Sequence, residues 1–147
     1  MTETTTPQGR EHSYTLTRVY DAPVEKVWEV WSTPEPFSAV FGARRETLEL
    51  DVRPGGSFSA EIVTPTGEVH PISGTFPVVE EHRRIVTATS VPMAEEPELM
   101  YEDFRDLGDG RTELTIHQTC ASAEACEMSR MGSEFLMQSC ADYLATA

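Results

Sequence analysis

The chain predicts an α+β fold: a curved antiparallel sheet wrapped around a long C-terminal helix, with two short helices after the first strand. Three observations lead there. Strong turn signals recur at short, regular spacing between residues 48 and 119, the mark of an antiparallel meander rather than βαβ units. Val24, Val27, Trp28 and Trp31 recur at i, i+3, i+4 and i+7, an amphipathic helical stripe. From Ser122 onward the apolar period becomes helical and stays so to Leu144.

Each element follows in order. Tyr14, Leu16, Val19 and Tyr20 suggest a first strand that Asp21-Ala22-Pro23 ends, and Pro23 suits the first position of a helix because its missing N–H costs nothing there. Thr33 is an N-cap candidate for a second short helix with Phe37, Val40 and Phe41 on its apolar side. Strands are then expected over 48–52, 58–63, 72–79, 85–91, 99–107 and 113–119, with an acidic loop at 92–97. In the last helix Ser122 is the expected cap, and Met128, Gly132, Leu136, Cys140, Tyr143 and Leu144 the expected inward face. Gly132 inside a helix costs about 1 kcal/mol against Ala, so it is expected to mark a kink or a close approach to the sheet.

The segment Asp51-Val-Arg-Pro-Gly-Gly-Ser-Phe58 reads as a hairpin. Pro54 presets φ for the turn, and Gly55-Gly56 can take the positive φ that a tight turn needs.

A length of 147 residues suits one domain with a sizeable core, expected over 13–147 after a polar, Thr-rich tail over 1–12. No stretch approaches a membrane span, and the start lacks the pattern of a signal peptide, so a cytoplasmic protein is expected. With 25 acidic residues against 11 basic ones the net charge is −14. Such a surface repels phosphate backbones and anionic lipids, which argues against nucleic-acid and membrane partners. A homodimer is left open.

Cys120, Cys126 and Cys140 show no metal-binding pair pattern. Cys126 and Cys140 on one helix lie roughly 21 Å apart at 1.5 Å per residue, too far for a disulfide. Three reduced thiols are expected. No metal or cofactor motif occurs: no two histidines have helical i, i+4 spacing, and no nucleophile elbow, phosphate loop or dinucleotide fingerprint is present.

Together the arm at 17–31, the Arg53-Pro-Gly-Gly56 hairpin, the meander and the final helix resemble the SRPBCC (START-like, helix-grip) superfamily, and within it the Hsp90 ATPase activator homologue-like (AHSA1-type) proteins. Ala22-Pro23-Val24 with Val27-Trp28 looks like the family's entry to the first helix, and Gly67 with Gly74 follows its next hairpin. Gly132, Tyr143 and Leu144 match its final helix. Departures from the pattern are Val40-Phe-Gly-Ala43 in place of a Trp-Trp-Gly-Pro run, and Ser133 where relatives commonly carry Trp. Met137 and Cys140 stand at two usual leucines. The resemblance implies an apolar cavity between sheet and last helix, and the large rings lost from the pattern imply either a roomier pocket or loose packing filled by Met.

Strand alternation assigns faces within that picture. Met100, Glu102 and Phe104 share one face of their strand, and the family's apolar residues at such positions place that face in the pocket. A carboxyl in apolar surroundings has a raised pKa and can act as acid, base or ligand anchor. On the neighbouring strand Leu114, Ile116 and Gln118 point inward and His117 outward. The expected function is binding of a small hydrophobic molecule, with Glu102 and Gln118 as polar anchors and Trp31, Phe41, Phe58, Phe76, Met100, Phe104, Leu136 and Met137 as walls. The resemblance also admits a cyclase- or hydrolase-type enzyme with Glu102 as general acid/base, and a co-chaperone-like interaction module.

Overall fold

The structure is a computed structural model that describes residues 12–64, 66–90, 97–120 and 122–146. Its elements run β1 (His12–Tyr20), α1 (Val24–Ser32), α2 (Pro34–Phe41), a 3-10 turn (Arg45–Thr47), β2 (Glu49–Leu50), β3 (Gly56–Val63), β4 (Val69–Glu80), β5 (Arg84–Thr89), β6 (Glu98–Asp106), β7 (Thr112–Cys120) and α3 (Ala123–Thr146). The strands form one antiparallel sheet in the order β1-β7-β6-β5-β4-β3-β2. Only β1 leaves sequence order, and it does so because α1 and α2 carry the chain across the sheet before the meander begins. The expected tail over 1–11, the turn residue Pro65, the end of the fifth expected strand at Val91 and most of the acidic loop lie outside the described residues. His12, expected in the tail, is already the first residue of β1.

Turn chemistry sets the register. At the 51–58 hairpin the two glycines act for different reasons: Gly55 has φ +81°, while a Cβ on Gly56 would overlap the Asp51 carbonyl oxygen. The strand expected over 48–52 shrinks to Glu49–Leu50 at the edge of the sheet. On β4, Gly74 lies against the neighbouring strand so closely that a Cβ would strike the Ala88 carbonyl and the Phe58 ring. A register shift between Thr75 and Val78 follows it, bending the sheet.

In-register residues share a face, so the inner face can be read across the sheet: Leu16, Ile116, Glu102 and Ile85 form one row, and Tyr14, Gln118, Met100 and Thr87 the next. Three helices cover this face, not α3 alone. Val24, Val27, Trp28 and Trp31 of α1, Val40 of α2 and Met137 and Cys140 of α3 share one buried cluster with Leu114, Ile116, Ile85 and Phe104. Tyr20 Oη donates to the Met137 carbonyl (2.9 Å) and Ser139 Oγ to the Val40 carbonyl (3.1 Å), tying α3 to β1 and α2.

Capping is as expected at one helix and absent at another. Ala125 N–H donates to Ser122 Oγ (3.1 Å) at the start of α3. Thr33 occupies the N-cap position of α2, but its side chain makes no capping hydrogen bond.

The expected face of α3 holds at Leu136, Cys140, Tyr143 and Leu144, which are buried or packed against the core, and fails at Met128 and Gly132. Ser133, Met137 and Cys140 are buried, whereas Met128 is 75% exposed and Met131 and Phe135 also face outward. Gly132 makes no close approach to the sheet, because a Cβ there would meet open space. The cause is the Tyr14 hydroxyl on β1. It lies 2.8 Å from Ser133 Oγ and 2.9 Å from Ser129 Oγ, and it turns a serine-bearing line of the helix inward.

Candidate functional site

Between the inner face of the sheet, α1, α2 and α3 lies a cavity of about 110 Å³. Trp31, Phe41, Phe58, Phe76, Met100, Glu102 and Leu136 line it, as the sequence suggests. Alternation on β3, β4 and β6 places these side chains, and the V of α1 and α2 brings Trp31 and Phe41 edge-to-face with ring centroids 4.9 Å apart. Phe37, Ile72, Ile85, Thr87 and Thr89 also line it, unforeseen from the sequence. The signal for Ile85, Thr87 and Thr89 was present in the alternation of β5, which puts these three residues on the face shared by Glu102 and Met100.

Two expected wall residues and one expected polar anchor stand elsewhere. Phe104 packs between Trp28 (5.0 Å) and Trp31 (6.5 Å) as a core ring. Met137 is buried in the same core cluster, its carbonyl accepting from Tyr20 Oη. Gln118 is buried in a polar network, accepting from Tyr14 Oη (3.3 Å) and donating to Glu98 Oε1 (3.2 Å). All three point inward, but α1 and α3 have already filled the space beside them.

Glu102 is the chemically distinctive group. It is 4% exposed, opposite Ile116 on one side and Ile85 on the other, with Thr87 Oγ1 donating to its Oε1 over 3.3 Å. Burial pushes its carboxyl up to about 8, against the opposing effect of the Thr87 hydroxyl, and the Asp103 carboxylate adds to the rise. Arg105 and Arg130 do not reach it: they pair with Glu113 (3.6 Å) and Glu134 (2.8 Å). A carboxyl held protonated at neutral pH can donate a hydrogen bond, accept a proton at higher pH or face a cation.

Ser133 does not border the cavity. It belongs with Tyr14 and Ser129 where α3 meets β1, outside the cavity wall, so the absence of a tryptophan there opens no room for a ligand. At about 110 Å³ the space is smaller than the roughly 300 Å³ at which drug-sized pockets begin, and comparable to cavities that hold a benzene-sized molecule.

His117 faces outward, as expected, with Thr15 Oγ1 2.7 Å from its Nδ1, and partial burial lowers its pKa. Among the described residues no group of three His, Cys, Asp or Glu could hold a metal ion, and no helix is long and apolar enough to cross a membrane. The expectation of three reduced thiols fails: Cys120 and Cys126 form a disulfide, with Cα atoms 5.3 Å apart. Cys120 ends β7 and Cys126 lies in the first turn of α3, so the chain reversal at Ser122 brings them together. Cys140 is free and buried, and its thiol is pushed up to about 11.

With this geometry established, the comparisons with known proteins fall into place. Residues 21–147 match the family model described as activator of Hsp90 ATPase homolog 1-like protein. The chain belongs to this family. No curated protein matches it. Among solved structures, protein Ms6760 from Mycobacterium smegmatis is similar at TM-score 0.75 and 23% identity, covering 91% of each chain. Protein NE0264 from Nitrosomonas europaea is similar at 0.74 and 21%, covering 91% of this chain and 94% of its own. The AHSA1-like protein from Aeromonas hydrophila is similar at 0.72 and 16%, covering 90% and 93%. Likeness at this level of identity establishes a common helix-grip fold and says nothing about a shared ligand.

Proposed function

We propose that the protein binds a small, mostly apolar molecule in the cavity, with Glu102 as its polar anchor. The observation that carries this reading is a carboxyl only 4% exposed in a wall otherwise built largely of aromatic and aliphatic side chains. Burying such a group costs free energy that a purely structural core would avoid, so its retention fits a recognition role. Apolar burial supplies the affinity, and the carboxyl with the Thr87 and Thr89 hydroxyls sets orientation. Amide chemical-shift mapping with toluene tests the reading: shifts are expected at Trp31, Phe58, Phe76 and Glu102 and should vanish in Phe58→Trp, which fills the space. Shifts confined to the outer surface overturn it.

A second reading, a cyclase- or hydrolase-type enzyme, has one observation in its favour. A carboxyl with a pKa of about 8 is protonated at neutral pH, as a general acid must be. Glu102→Gln separates the two readings, because it abolishes turnover but leaves apolar binding.

A cytoplasmic location, expected from the sequence, is part of this proposal. The Cys120–Cys126 disulfide weighs the other way, since such bonds persist mainly in oxidising compartments. Alkylation trapping in the native host decides between them.

A further inference from the structure

We infer that the ligand class of this cavity is a small organic cation, a substituted ammonium group held between aromatic rings and the Glu102 carboxylate. The inference rests on the cavity being the binding site and adds the charge of its occupant.

Two independent observations point to positive charge. The first is the composition of the wall. Rings of Trp31, Phe41, Phe58 and Phe76 surround the same space as the Glu102 carboxyl, and among the described residues the lining contains no Lys, Arg or His. Aromatic faces attract cations, most strongly when the cation is desolvated, and a quaternary ammonium sheds its hydration cheaply while presenting an apolar surface to the rings. A carboxylate ligand would find no counter-charge among the described residues of the lining. The second is the net charge of −14, which draws cations toward the molecule and repels anions over distances beyond any single contact.

The charged groups around Glu102 leave it to the ligand. On β5, Arg84 lies on the outer face, its guanidinium donating to both oxygens of Asp103 (2.6 and 3.1 Å). On β7, His117 also faces outward, toward Thr15. On β1 the inner-face titratable group nearest in register is Tyr14, whose phenol is raised mainly by burial, and on β6 Glu98 is engaged by Gln118. The residues that α1, α2 and α3 contribute to the lining, Trp31, Phe37, Phe41 and Leu136, carry no charge. A cation entering the cavity is therefore the partner that ionises Glu102, and binding it drives the carboxyl proton into solution.

The test uses three probes on the full chain: tetramethylammonium, which is charged at every pH, tert-butanol, which is of similar shape and neutral, and toluene. Titration calorimetry at pH 9 should show tetramethylammonium binding about tenfold or more tighter than tert-butanol. Its affinity should fall about tenfold per pH unit as the pH drops below about 8, because a proton then competes for the carboxylate. Glu102→Gln should remove the preference for the cation and its pH dependence while toluene still binds. Equal affinity for the two small probes, a cation preference that survives Glu102→Gln, or toluene binding without tetramethylammonium binding overturns the cation assignment and leaves the cavity reading standing. Absence of binding by all three removes both.

Discussion

Thr87 Oγ1 donates to Glu102 Oε1 across 3.3 Å, joining β5 to β6 inside the cavity. One long hydrogen bond does not offset the burial of a carboxylate, and the raised pKa follows from that imbalance.

Its consequence is a pH-dependent stability. The folded protein holds a proton on Glu102 up to about pH 8, whereas the unfolded chain releases it near the ordinary value of 4.5. Stability from this group is fully present below pH 4.5, declines between 4.5 and about 8, and is gone above. Glu102→Gln keeps the shape without the charge and should exceed the wild type at pH 9 by on the order of 4 kcal/mol, a gap that closes toward pH 4. Urea denaturation across that range reads it; parallel profiles would mean that Glu102 is solvated.

Gly132→Ala should stabilise the protein by about 1 kcal/mol, or roughly 3 °C in Tm. Alanine is the better helix former, and its Cβ meets nothing at this position. A lower Tm on thermal denaturation would show that another surface packs closely there.

Ser133→Trp should destabilise by about 1–3 kcal/mol through overpacking, in addition to breaking the Ser133 contact with Tyr14. Toluene affinity should stay close to that of the wild type, since Ser133 is not part of the cavity wall. A higher Tm with weakened binding would place Ser133 beside the cavity instead.

Removing the Cys120–Cys126 bond should cost about 2 kcal/mol, the loop-closure value for so short a loop. Denatured, unreduced protein should titrate one thiol per chain, that of Cys140. Cys126→Ser should lower Tm and make it insensitive to reductant. A count of three thiols would mean that the bond is absent in solution.

How far the sequence reached can be judged element by element. On β6 alternation grouped Met100, Glu102 and Phe104 on one face, the family resemblance turned that face inward, and the structure buries Glu102 there. On α3 the expected face held from Leu136 to Leu144 but failed at Met128 and Gly132, because apolar residues lie on several sides of the helix and no one face dominates. The orientation is settled by Tyr14, more than a hundred residues away in the chain, whose buried hydroxyl needs Ser129 and Ser133 as partners. The disulfide was missed for a related reason: spacing along α3 excludes Cys126 with Cys140, but only the reversal at Ser122 reveals Cys120 as a neighbour.

By itself, then, the chain's local chemistry determined the order of strands and helices, the glycine turn at 53–56 and the shared face of Met100, Glu102 and Phe104, all of which depend on residues close in sequence. Only the tertiary structure decided that Phe58 lines a cavity while Phe104 is core. Both rings point to the same side of the sheet. Trp28 of α1 packs on Phe104, whereas Phe58 lies in the space the helices leave uncovered, and which inward ring a helix covers is a property of packing that no local pattern records.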